Sequence, residues 1–556
     1  MGTRPAEMLP RPLLVEVTGR LAALDGEDDL WPRLADAAWD TQELPGEVAL
    51  RPHGPSLLDL PDAIDRLIPR PPVRAGRSAS GGLTLVLERP GDRIRELADT
   101  MDADERAALD TVLRRALDPF DALATWPLDT LFAPDEVAGI EAAAEGQGRP
   151  VAPAEPARFR WSPGGPMDYA GYACVIMKLT RLCNLRCVYC NDWRSGRDQR
   201  MGFDVQLALV SKLLGDPAVG TTEIVWHGGE ATLMGRRAFL RLLALERRFL
   251  RPGQTLRNRL QTNATTLDRD WVRFLSRYRF TVGTSVDGPA EMHDRTRPAK
   301  GGKPSLDKVR RGIALLREER MLSHVYVVVG RGIVDLGAEA LLAFLQEEGI
   351  ERVGLLPARP DNGPALPDAE FLPRDVYGRF LLDMHRARAR APKPWVAIRE
   401  LDAMIRAAGD EMAGHCELLG NCGGHFFSVD PNGDVAHCDK FVGAPEFTLG
   451  NIVEDGFAEI RARARPALER TGAAAPPPSP GGCRHAARCQ GWCPHERYVA
   501  RRHAPEAGTG CCGLGALFDA LTSEARTPDA SPPGASPPDA RNAGAAGSPE
   551  GVAHGG

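Results

Sequence analysis

From about residue 170 to 365, short apolar runs alternate with helical patterns, and this alternation constrains the fold more than any other feature of the chain. Strands are predicted at 174–179, 223–227, 257–263, 280–286, 324–329 and 352–356, with helices between them at 204–214, 236–249, 268–278, 305–319 and 335–348. Strands separated by a helix cannot form tight hairpins, so they pair in parallel through right-handed crossovers. Sheets of this kind present their ligands at the carboxyl ends of the strands, and the polar motifs fall there. HGGE (227–230) follows the second strand, QTNAT ends the third and SVDGP the fourth. Consecutive glycines let the backbone approach a ligand closely, and Glu230 could receive a ligand ammonium. Gln261, Asn263, Ser285 and Asp287 offer amide, hydroxyl and carboxylate groups able to fix a ribose, a carboxylate or a peptide, though each alone also reads as a turn cap. His227 reads as a strand-end structural residue more readily than as a base. Arg297 could pair with a ligand carboxylate or lock its loop against Asp294.

Three cysteines, Cys183, Cys187 and Cys190, stand at CxxxCxxC spacing directly after the apolar run 175–179. Thiolates so spaced can hold three irons of a cubane [4Fe-4S] cluster and leave the fourth iron without a protein ligand, which suits chemistry better than electron storage. Structural zinc wants four ligands, usually as two short pairs, and this segment supplies three cysteines and no histidine. Cys174 stands alone before the triad. Cys416, Cys422, Cys438, Cys483, Cys489, Cys493, Cys511 and Cys512 crowd one later segment, with none between Cys190 and Cys416. Within it, VDPNGDVAHCDKF reads as an Asn-Gly turn joining two short strands, with Cys438 leaving the second.

Length and composition set the outer bounds. A chain of 556 residues divides into two to four domains. With 69 basic and 75 acidic residues, net charge −6, nothing demands a polyanionic partner, and the arginine runs at 386–390 and 462–466 read as solvated helix faces. No signal peptide or membrane span is visible, so a cytoplasmic, thiol-reducing location with no membrane association is expected, and a disulfide framework is a poor account of 12 cysteines. Residues 1–165 give a strand at Leu83, Leu85 and Leu87 and a helix at 102–117 opened by Asp102; the region reads either as a peptide-docking domain or as a packing appendage. The Ala-, Gly-, Pro- and Ser-rich end beyond 520 is expected to be disordered, and 471–482 to be a loop.

CNLRCVYC resembles the signature of the radical S-adenosylmethionine (SAM) superfamily, with Tyr189 as the aromatic residue before the third cysteine. The resemblance implies an incomplete barrel and an open iron chelated by the amino and carboxylate groups of SAM. One electron passed into the sulfonium then gives methionine and a 5'-deoxyadenosyl radical that abstracts a substrate hydrogen. Gly228, Gly229 and Glu230 match the motif that holds the SAM amino group; Tyr189, Asn263, Ser285 and Asp287 fall among the cofactor-binding positions, and Gln261 and Arg297 on the substrate side. The spacing through HDRTR (293–297) is similar to that of peptide-modifying members. The later cysteine segment resembles the SPASM domain, which carries auxiliary [4Fe-4S] clusters. Carried over residue by residue, one auxiliary cluster takes Cys416, Cys422, Cys438 and Cys493, and a second takes Cys483, Cys489 and one of Cys511 or Cys512. Pro480 stands where the family has another cysteine. The second cluster therefore uses both late cysteines, takes a ligand such as His485, or keeps an open iron; one structural zinc beside one cluster is the alternative for the region. Asp439, next to Cys438, matches the proposed base of sulfatase-maturing radical SAM enzymes, or else accepts backbone hydrogen bonds around the cluster.

The expected fold is thus α/β: a partial (β/α)6 radical SAM barrel at 166–365, a cysteine-rich SPASM auxiliary-cluster domain at 366–520, an N-terminal α+β extension at 1–165 and a disordered tail at 521–556. The expected function is that of an oxidoreductase with SAM, a radical SAM cluster and one or two auxiliary clusters as cofactors. It would act as a peptide maturase forming a cyclophane-type cross-link in a ribosomally made precursor peptide. Formylglycine formation on a sulfatase, thioether formation and epimerisation use the same initial radical. A precursor peptide or protein substrate and reduced flavodoxin or ferredoxin as electron donor are the implied partners, with no nucleic acid. An iron-sulfur scaffold without turnover is the reading from another class.

Overall fold

The computed structural model describes residues 127–146, 154–162, 167–190, 192, 199–359, 372–391, 395–420, 422–471, 483–503 and 513–524, together with strands 73–77 and 83–87 and a few isolated earlier positions. The chain separates into two compact units, Met1–Val137 and Ala138–Gly556. In the first, β1 (Val73–Arg77) and β2 (Leu83–Leu87) pair antiparallel, Val73 opposite Leu87. The helix expected at 102–117 lies almost wholly outside the described residues. Helix α1 (Pro134–Gly146) opens with proline in its first turn, where a missing N–H costs nothing.

After a short hairpin, β3 (Arg158–Arg160) with β4 (Asp168–Ala170), the second unit winds through the expected alternation. Its strands are β5 (Tyr172–Lys178), β6 (Thr221–His227), β7 (Thr255–Gln261), β8 (Thr281–Ser285), β9 (Leu322–Val329) and β10 (Arg352–Pro357), all parallel. Between them run α2 (Phe203–Gly215), α3 (Gly235–Phe249), α4 (Arg269–Arg277), α5 (Ala290–Thr296), α6 (Leu306–Glu318), α7 (Arg331–Leu336) and α8 (Ala338–Glu347). Every residue of β5 and β6 is buried, as expected of parallel strands covered on both faces.

The barrel sheet does not stop at its expected edges. Beyond β10 it gains β11 (Ala397–Ile398), placed between helices α9 (Arg374–Arg390) and α10 (Arg399–Ala408). Beyond β5 it gains β12 (Phe426–Val429), paired in parallel with Phe426 opposite Cys174, then the antiparallel β13 (Asp434–His437) and β14 (Thr448–Asn451). The result is one ten-stranded sheet in which the Asn-Gly hairpin of the cysteine-rich segment covers an otherwise open barrel edge. The chain then adds α11 (Phe457–Arg470), α12 (Ala486–Cys489), α13 (Pro494–His503) and α14 (Gly515–Glu524).

Two surface expectations need correction. Helix α14 runs past residue 520, and its Leu521 is buried in the core; the rest of the tail lies outside the described residues. In the run 386–390, Arg388 is buried, bonded to Asp402 at 2.6 Å and stacked 4.5 Å over Trp395, because its position on α9 faces α10 rather than solvent. Among the described residues no helix is long and apolar enough to cross a membrane.

Candidate active site

Period-2 alternation decides which strand residues meet inside the barrel. Cys174, Glu223, Arg259, Gly283 and His324 share the inner face, where Arg259 pairs with Glu223 at 2.9 Å. A Cβ on Gly283 would lie 2.3 Å from the His324 ring, so glycine there makes the room. One or two steps further along the same face stand Lys178, His227, Gln261, Ser285, Val328 and Leu356. These residues, with the turns after β13 and the start of α13, line an open cavity of about 1370 Å³ including its mouth. The cavity therefore sits on a buried polar layer at the carboxyl end of the barrel.

The loop after β5 brings Cys183, Cys187 and Cys190 together on the cavity wall. HGGE fastens this loop from below: Gly229 N–H donates to Thr180 at 2.7 Å and Glu230 N–H to Leu182 at 2.8 Å. A Cβ on Gly229 would come within 2.3 Å of the Leu182 carbonyl, so the close approach these glycines permit is to the chain's own cysteine loop, although Gly228 and Gly229 also face the cavity. Glu230 is buried and does not line it. Its carboxylate accepts from Thr232 N–H and hydroxyl, the Thr262 hydroxyl and Asn263 N–H. In this structure Glu230 thus clips two strand-end turns together, with Oε2 accepting only from Asn263 N–H.

Asp287 likewise departs from expectation. It is fully buried away from the cavity and accepts from Tyr189 Oη at 2.5 Å, Arg297 Nε at 2.9 Å, Thr296 Oγ1 at 3.0 Å and Val328 N–H at 3.0 Å. Burial pushes its carboxyl up most strongly, but the Arg297 guanidinium, His293 and the hydrogen bonds from Tyr189 and Val328 together hold it below the usual range. Arg297 thus locks to Asp287 rather than to Asp294, whose carboxylate caps the start of α6 at Ser305 and Leu306. The arrangement sets the Tyr189 ring against the cavity, with the Arg297 guanidinium 5.4 Å from its centroid. Gln261 donates to Ser285 at 3.2 Å, and Asn263 donates to Asn184 at 2.9 Å; all but Asn184 face the cavity.

Sequence reasoning did not anticipate the charged floor. Lys178 bridges Asp192 and Asp439, each at 2.7 Å; Arg181 also pairs with Asp192 and reaches Asp430 at 2.7 Å; His227 stands 3.7 Å from Asp192. Burial draws the Lys178 ammonium down, yet its two carboxylate partners hold it above the ordinary range. Asp439 lines the cavity and also accepts from Ser428 at 3.3 Å. Burial raises its carboxyl, and Lys178 together with His227 outweighs that, leaving it below the usual value. A lysine closing the apolar strand YACVIMK was the available signal, since a buried cation needs a paired anion.

The thiols of Cys416, Cys422, Cys438 and Cys493 lie close enough to oppose one another's ionisation, so the structure brings together the first auxiliary set. Cys438 has a left-handed φ of 63° where β13 ends. Cys483 precedes α12 and Cys489 is its last residue, whereas Pro480, Cys511 and Cys512 lie outside the described residues. His485 Nε2 meets Asp519 at 2.5 Å and its Nδ1 has no partner. Among the described residues no three His, Cys, Asp or Glu side chains converge closely enough to hold a single metal ion. Burial pushes all seven thiols of the two grouped sets upward, Cys183 to about 12, so their thiolate forms need a compensating cation. Grouped, desolvated thiols of this kind fit iron-sulfur clusters. Arg359, Lys440, His495 and Glu496, none of them anticipated, complete the cavity wall.

Comparisons with known proteins agree with this geometry. Residues 177–345 match the radical SAM superfamily and residues 416–489 the SPASM iron-sulfur cluster-binding domain. A serine-type anaerobic sulfatase-maturating enzyme of Bacteroides thetaiotaomicron is 28% identical over 311 residues, 51% of this chain and 73% of the relative. A cysteine-type enzyme of Clostridium perfringens is 27% identical over 291 residues, 50% of this chain and 76% of the relative. The solved structure of native anSMEcpe with bound AdoMet covers 64% of this chain and 96% of its own at TM-score 0.52 and 23% identity; the same protein with AdoMet and Kp18Cys peptide gives TM-score 0.55 at equal coverage and identity.

Proposed function

We propose that this chain, a radical SAM protein with a SPASM iron-sulfur domain, is a maturase that oxidatively modifies a side chain within a peptide or protein. The product favoured by the motif pattern is an intramolecular cyclophane-type cross-link in a ribosomally made precursor. Its cofactors are SAM and [4Fe-4S] clusters. In this reading Cys183, Cys187 and Cys190 hold one cluster, and Cys416, Cys422, Cys438 and Cys493 hold another. When bound, cluster and SAM supply a 5'-deoxyadenosyl radical that takes a hydrogen atom from the substrate.

The observation that carries the reading is that Asp439 faces the same cavity as the cysteine triad. Forming a cross-link or an aldehyde from a hydrogen-abstracted centre releases a proton and an electron; a positioned carboxylate can accept the proton, and the cluster held by the later cysteines would, when bound, take the electron. Lys178 fixes Asp439 in place and keeps it ionised before the reaction. Tyr189, Asn263, Gln261 and Ser285 offer the ring face, amides and hydroxyl that orient a nucleoside and the nearby substrate. The cavity opens at the barrel mouth, where an extended chain can enter. The electron donor in this reading is reduced flavodoxin or ferredoxin.

Formylglycine formation is the second reading, favoured by the sulfatase-maturating enzymes among the relatives. Co-expression with the peptide encoded beside the gene, and separately with a sulfatase peptide bearing Cys-x-Pro-x-Arg, tests the two. Loss of two hydrogens per linkage from the first peptide supports cross-linking, and a hydrazine-reactive aldehyde on the second supports formylglycine. SAM cleavage with neither peptide changed would reject both.

A further inference from the structure

The wall that Arg359 and α13 build is incompletely bonded. Arg359 follows β10, donates from Nε to Glu496 Oε2 at 2.7 Å and from Nη1 to the Leu372 carbonyl, and has no partner at Nη2. Glu496, in the first turn of α13, has no partner at Oε1. The neighbouring His495 has none at either ring nitrogen. The three residues are 8%, 1% and 2% exposed, and all line the cavity. A side-on guanidinium–carboxylate pair can make two parallel hydrogen bonds, and this one makes a single bond. Buried polar atoms are expensive to leave unmade, and four of them lie in one corner of the cavity, just beneath its surface, so a guest would complete them only as these wall side chains turn toward it.

The guest has to accept at Arg359 Nη2 and donate to Glu496 Oε1. A carboxylate would be turned away by Oε1 and an ammonium by Nη2. Charge adds no bias, since Arg359 is balanced by Glu496, and Lys440 is paired with Glu417 at 2.5 Å. A peptide group offers one acceptor and one donor and no charge. We infer that Arg359, His495 and Glu496 form a backbone-binding subsite that grips a peptide group of the substrate, with the His495 ring bonding the adjoining one. The inference rests on the peptide-maturase reading above and adds where the substrate main chain is held.

Binding tests it without turnover. The full chain, reconstituted anaerobically with SAM, is titrated against two fluorescein-labelled probes: the peptide encoded beside the gene and the Cys-x-Pro-x-Arg sulfatase peptide. With a probe that binds the wild type, E496Q is expected to raise Kd about tenfold, because the amide turns its oxygen to Arg359 and presents a donor where the substrate N–H points. H495F, which keeps the ring beside Phe441, should weaken binding by a similar factor. Iron content and the SAM-induced change in the cluster spectrum establish that each variant is assembled. An ester scan of the probe should reveal one position where losing the N–H weakens wild-type binding but not binding to E496Q. Variant affinities within twofold of wild type, or an ester scan without that coupling, would overturn the subsite while leaving the maturase reading intact. Failure of the wild type to bind either peptide would overturn both.

Discussion

The two sides of the cavity are built on different principles. On the side of β5–β8, most polar groups near the cysteine triad are closed on one another, Gln261 on Ser285, Asn263 on Asn184, and Tyr189 and Arg297 on Asp287, with Arg181 Nε and His227 Nδ1 as unbonded exceptions. On the side of β10, β13 and α13, the groups are charged or carry unmet hydrogen-bonding capacity, from Asp439 under Lys178 to His495 and Glu496. A surface that always meets the same cofactor can be finished in advance. One that must admit and release a chain keeps part of its bonding for the visitor.

Breaking the finished side should abolish function outright. Cys183→Ala is expected to remove about four irons per chain and all detectable product, with the iron held by the later cysteines retained; iron counting beside product assay checks this. The next effect belongs to the charged side. Asp439→Asn should preserve 5'-deoxyadenosine formation while lowering peptide product by roughly 10²–10⁴-fold, and normal product yield would remove Asp439 as the proton acceptor.

Lys178 joins the two sides, since Asp192 lies two residues after Cys190 and Asp439 directly follows Cys438. Lys178→Met leaves two buried carboxylates without their shared cation and should cost about 3–5 kcal/mol, measured by denaturant unfolding. A smaller effect sharpens the comparison by setting its background. Glu246, on α3 outside the barrel, is buried, donates no charge to the cavity and accepts from Asn258 at 2.6 Å. Burial raises its carboxyl from 4.5 to about 8. The folded chain therefore keeps a proton that the unfolded chain releases, so this contribution is full below pH 4.5 and is lost as pH rises through 8. Glu246→Gln should flatten the fall in stability by about 2 kcal/mol between pH 6 and 8, and an unchanged slope would exclude Glu246 as its source.

Legibility in the sequence followed the range of the interactions. Strand 172–178 was visible because a parallel strand covered on both faces must be apolar throughout, and α3 because its apolar stripe repeats every three or four residues. The short helix 331–336 carries too few turns to show a period, and 290–296 was read only as a motif. At the site, the cysteine triad and the polar strand ends were legible because neighbours in sequence form them. The Lys178–Asp439 pair spans some 260 positions and Arg359–Glu496 spans 137, with no spacing to announce either.

By itself the sequence determined the strand-and-helix order, the thiol spacing and hence the metal chemistry the chain can support, because these are set by local periodicity and by side-chain reach. Only the tertiary structure decided that β12 extends the barrel sheet alongside β5, carrying Asp439 over Lys178 and α13 against Arg359. Parallel pairing between strands some 250 residues apart depends on burying a shared edge, and that requirement is written in no single stretch of the chain.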